Sequence, residues 1–148
     1  MIERRQVTQA LAALLTAQTG KPVGLGRMPK ADPPYYLLYS VDTAVSGAPF
    51  ADDNEDISLV YQITSVSGPD PKVASSSGTL DQAEWLADRA RQAILRRDPA
   101  TGLWTAALEV SGAKVMCREL ETEPGGTSDP TDGIISYVQR FRFDLTPA

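Results

Sequence analysis

From Ile134 to Leu145 apolar and polar side chains alternate. Ile135, Tyr137, Phe141, Phe143 and Leu145 fall on one face, and Ser136, Arg140, Arg142 and Asp144 fall on the other. A period of two specifies a strand with one face towards a core, not a helix. The pattern recurs at Ile57–Val66, where Ile57, Leu59, Tyr61 and Ile63 oppose Ser58, Gln62 and Thr64. Tyr35–Val41 (YYLLYSV) is apolar on both faces, as in the middle of a sheet. Two shorter strands are expected over about Thr105–Val110 and Ala113–Glu121, joined by a tight turn at Ser111-Gly112.

Two stretches change to helical spacing. Residues 3–19 carry Val7, Ala10, Leu11, Leu14 and Leu15 on one stripe, and Gly20 is a natural left-handed terminator. Residues 80–97 follow Thr79, which with Gln82 offers a capping box, and Asp98-Pro99 and Gly102 end the run. The expected order is α-β-β-α-β-β-β. It describes one α+β domain, 1–148, with helices packed on a mainly antiparallel or mixed sheet. The connections at 20–34, 43–56, 67–79 and 122–133 read as loops, and several are long enough to suggest binding segments.

Composition limits the function. The net charge is -5, with six acids against two bases in 109–132. A protein that grips nucleic acid needs a clustered basic surface instead. Cys117 is the single cysteine, so no intrachain disulfide can form and a reducing compartment is expected. No apolar run approaches the roughly 20 residues that span a bilayer. Arg4 and Arg5 before Ala10–Leu15 superficially suggest a signal peptide. The apolar spacing there is helical, however, and Gln18 and Thr19 make a poor cleavage region.

The residues for chemistry are missing. Without histidine there is no Ser-His or Cys-His pair, and one cysteine cannot build a zinc cluster. Gly24-Leu25-Gly26 lacks the rest of a phosphate loop, and Ser75-Ser76-Ser77-Gly78 is not a nucleophile elbow. Asp52, Asn54 and Asp56 match the start of a calcium loop, but Ile57 and Ile63 stand where its Gly and Glu are required. No catalytic, cofactor or metal residues are assigned, and no enzyme activity is expected.

Two features point to assembly. Twelve residues of strand reach roughly 40 Å, whereas a domain of this size is only about 30 Å across. The last strand therefore either projects to pair with a neighbour or bends within one sheet. Trp85 points away from the Ala83, Ala87, Ala90 and Ile94 stripe of its helix, so it is either an interface anchor or lies under one of the chain's own loops. The 44–56 loop sets Phe50 among acids that include Asp52 and Asp53, an apolar anchor with a charged rim. Trp85, Phe50, Asp52, Asp53, Arg140 and Arg142 are the candidate interface residues.

The chain also resembles a known family. PVGLGRMP at 22–29, PPYYLLYSVDTAVSGAPFADD, LVYQITSVSG, QAEWLADRARQAIL and the closing YVQRFRF are similar, in order and spacing, to tail terminator proteins of long-tailed phages, particularly those of actinobacteria. The resemblance covers most of the chain and implies a small α/β sandwich with long loops. It implies a ring, usually a hexamer, on the head-proximal end of the tail. Such a ring stops polymerisation of the tube protein and meets the head connector or stopper, and DNA passes through it without specific binding. The implied location is the virion, after assembly in the host cytoplasm. The alternatives are another neck protein, such as a head-tail stopper or tail-completion protein, or a small ligand-binding domain or enzyme.

Overall fold

Val7, Leu11, Leu14 and Leu15 are buried along one side of the first helix, α1 (Arg4–Thr19). Gly20 ends it at φ 70 and donates its N–H to the Thr16 carbonyl, a backbone state that glycine adopts without strain. The second helix, α2 (Leu80–Leu95), starts where Thr79 accepts the Gln82 N–H at 3.1 Å. Only half of the capping box forms. The Gln82 side chain turns to Ser67, whose hydroxyl donates to Gln82 Oε1 at 2.6 Å and accepts the Thr79 N–H at 3.0 Å.

The structure is a computed structural model that describes residues 1–46, 55–129 and 132–148. Five strands join the two helices: β1 (Val23–Leu25), β2 (Tyr35–Ser46), β3 (Asp56–Ser67), β4 (Ala113–Asp129) and β5 (Ile134–Pro147). They form one sheet in the order β1-β2-β3-β5-β4. β1 runs parallel to β2, and every other pair is antiparallel. Both helices lie on one face, where Tyr36, Leu38, Leu59, Tyr61, Ile63, Phe141, Phe143 and Leu145 meet the α1 stripe and Leu86, Ala90 and Ile94 of α2. Tyr61 and Phe143 pack edge to face at 5.9 Å between ring centroids, the geometry aromatic quadrupoles favour.

The α+β class holds, but the strand positions differ from expectation. Thr105–Val110 is not a strand. Ala106, Leu108 and Val110 are buried at period two, yet among the described residues the segment meets other backbone only at its ends, through the Thr105 N–H to the Arg96 carbonyl and a bridge from Val110 to Ala113. Its alternation is satisfied by packing on the core, which requires no ladder. The fifth strand is instead β1, so the order is α-β-β-β-α-β-β. Three residues are too few to show a period. Gly24 there passes so close to the Arg27 carbonyl that a Cβ would overlap it.

Two expected loops shrink. β2 continues to Ser46, and β4 runs through Glu-Pro-Gly-Gly to Asp129, with register shifts after Val115, Leu120 and Thr122. Nor does β5 project: from Ile135 to Leu145 it pairs with β3, and β4 lies on its other side. Of the two alternatives for this strand, the single bulged sheet is the one observed, with the bulges on β4.

Candidate functional site

Helix α2 presents its small-residue stripe to the sheet: Ala83, Ala87, Ala90 and Ile94 are at most 1% exposed. Trp85 lies on the other side and is 47% exposed. It is therefore a half-exposed side chain on the surface of the helix. Arg89, one turn on, places its guanidinium carbon 5.1 Å from the centre of the Trp85 ring, and Lys21 Nζ lies 6.0 Å from it. A cation over an indole face is attracted by the ring quadrupole. Trp85 thus stands on the surface between two basic side chains, at the seam where the chain leaves α1 for β1.

Arg140 and Arg142 are elsewhere. They alternate with Phe141 and Phe143 and so lie on the sheet face away from the helices. Arg142 pairs with Glu119 at 2.5 Å and contacts Asp144 at 3.4 Å. The Asp144 contact is an ion pair without hydrogen-bond alignment, since Arg142 Nε has no hydrogen-bond partner. Arg140 Nε donates to Gln62 Oε1 at 3.3 Å. Both arginines are tied to their own sheet. On that face Tyr35, Val60, Thr64 and Val66 are buried as a strip separate from the main core. Phe50, Asp52 and Asp53, and with them Asn54 of the partial calcium pattern, lie outside the described residues. Of the three candidates within the described residues, Trp85 stands on the outer side of α2, and Arg140 and Arg142 stand on the opposite face of the sheet.

Sequence reasoning missed a stack around Trp104. Arg97 and Arg118 place their guanidinium carbons 4.0 and 4.9 Å from its ring centre. Arg118 is buried and has no acidic partner among the described residues. Its Nη1 donates to the Ile94 carbonyl at 3.1 Å, one of the carbonyls the end of α2 leaves without a helical partner. Burial lowers the pKa of its guanidinium. The arrangement fastens the chain after α2 to β4, and no spacing in the sequence announces it.

Among the described residues no three His, Cys, Asp or Glu side chains converge as a metal site. A depression of about 560 Å³ lies against Asp88, Arg91, Gln92, Leu95 and Arg96, on the outer surface of α2. It collects charged helix side chains with no nucleophile and base within reach of each other.

The same fold occurs in a virion. A chain of the native gene transfer agent particle superposes with a TM-score of 0.56 at 15% identity, over 95% of this chain and 91% of that one. At that identity the likeness concerns the fold. The sequence matches no protein-family model and no curated protein.

Proposed function

We propose that this protein is a structural virion subunit, and specifically the terminator of a long phage tail. It forms a ring on the head-proximal end of the tail tube, ends tube polymerisation and offers the surface that joins the head connector. The observation that carries this reading is the fold shared with a virion chain over nearly the whole length of both chains. The sequence segments that resemble tail terminators supply the finer assignment.

Three properties support it. Trp85 is a large apolar side chain held at the surface with cationic neighbours, the residue type enriched at interface centres. Among the described residues the sheet has largely open edges: beyond its Ala113–Val110 bridge, β4 pairs only with β5, and β1 covers β2 only from Tyr36 to Leu38. A bare edge invites pairing with another chain. The net charge of -5 suits a channel wall along which DNA slides without sticking. No enzymatic activity is part of this reading.

The test is polymerisation of the cognate tail tube protein with and without this protein, viewed by electron microscopy. With it, tubes should stop growing and carry a ring at one end. Unlimited tubes with bare ends would refute the assignment. Binding to the head connector but not to tubes would move the protein to the head-tail stopper.

A further inference from the structure

β1 and β4 are the two opposite edges of the sheet, and the surfaces above them carry opposite charge. On the β1 side stand Lys21, two residues before that strand, and next to it Trp85 and Arg89 of α2. On the β4 side stand Glu123, on that strand, and Glu84 and Asp88 of α2. Leu80 Cδ1 lies 3.2 Å from where a Cβ on Gly126 would sit, which places the 80–84–88 row of α2 over the β4 side. Burial, and then the carboxylates of Glu123, Glu84 and Asp88, push the Tyr137 phenol up, so the three acids share one neighbourhood. The rows are not pure, since Asp81 begins the Trp85 row and Arg91 ends the acidic one. Among the described residues the only salt bridges are those of Arg142. Neither flank forms a salt bridge among the described residues.

We propose that the acidic flank of one copy, Glu84, Asp88 and Glu123, docks on the basic flank of the next, Lys21, Trp85 and Arg89. The occupant of each flank is a second copy of this chain. Its acids are opposite in sign to the cations, and the β4 edge that carries Glu123 reaches the site together with them. Two different patches on opposite edges make a head-to-tail contact, the kind that closes into a ring when the rotation permits. Trp85 supplies the apolar centre, and the charges steer the encounter and fix the register. A nucleic acid would match the basic flank alone and meets an acidic protein overall. This inference rests on the ring reading and names the surfaces that close the ring.

The experiment follows the purified full-length chain by sedimentation as concentration and salt are varied, for the wild type, Lys21→Glu/Arg89→Glu and Glu84→Lys/Asp88→Lys. Glu84, Asp88 and Arg89 are exposed and Lys21 is half-buried, and thermal melts verify folding. The wild type should self-associate, and salt should weaken the association. Each double variant alone should associate at least about tenfold more weakly, a loss of about 1.4 kcal/mol. An equimolar mixture of the two should associate again, because the reversed charges then face each other. Trp85→Ala should weaken association without altering its salt dependence. A wild type that stays monomeric up to its solubility limit, or variants that associate as well as it does, overturns the flank pairing. A basic flank that binds DNA while copies stay apart also overturns it. Tube capping is read separately, so the terminator assignment can survive the loss of this interface.

Discussion

The Tyr36 hydroxyl, reaching up from β2, donates to the Leu86 carbonyl in α2 at 2.6 Å. The bond crosses the core and ties the second helix to a strand fifty residues earlier. Burial pushes the phenol well above its ordinary value, so it remains a donor. Tyr36→Phe removes the bond while the Leu86 carbonyl keeps its helical partner, so it should cost about 1 kcal/mol in denaturant unfolding. The pH dependence has a definite sign. Below the ordinary value of 10.0 the phenol is neutral, folded or unfolded. Above it the unfolded chain ionises while the folded one does not, so stability falls as pH rises. Tyr36→Phe should reduce that fall, and an identical alkaline profile in the variant would contradict the account.

Arg118 is a buried cation held by one carbonyl and one indole. Arg118→Ala should cost about 3 kcal/mol, through loss of a charged hydrogen bond and of packing against Trp104. Arg118→Met keeps most of the stem packing and should cost less. Equal losses in thermal melts would mean that only the charge matters.

Gly78 donates its N–H to the Gly133 carbonyl at 2.7 Å, and an added Cβ would overlap the Ser67 carbonyl. Gly78→Ala should therefore cost about 1–3 kcal/mol, like other overpacked sites. A melt within error of wild type would show that the turn before α2 can move aside.

Trp85→Ala should leave folding within about 0.5 kcal/mol of wild type, because the side chain is on the surface. It should cost about 2 kcal/mol or more in association if the ring is built on it. A fall of about 3–5 kcal/mol in folding stability would mark it instead as a core aromatic.

The alternation of Leu59, Tyr61, Ile63, Phe141 and Phe143 made the sheet and its buried face legible in the sequence. The Ala83, Ala87, Ala90 and Ile94 stripe did the same for the packing of α2, and left Trp85 outside. The β4 segment from Thr122 to Asp129 was not legible. Its Pro and paired Gly read as a loop, and its extended form depends on pairing with Ile134 to Arg140, a relation no local window contains. Ala106, Leu108 and Val110 misled in the opposite sense, since a period of two records burial and not pairing. Lys21 and Glu123 take on meaning only once sheet order sets them at opposite edges.

We propose that the chain is a virion subunit and that its place is the head-proximal end of a tail. The most direct measurement is cryo-electron microscopy of the complete particles whose genome encodes it. Density fitting this fold should appear as a closed ring between tail tube and head connector, with Trp85 at a contact between copies. Particles whose neck contains no copy of this chain would contradict the account.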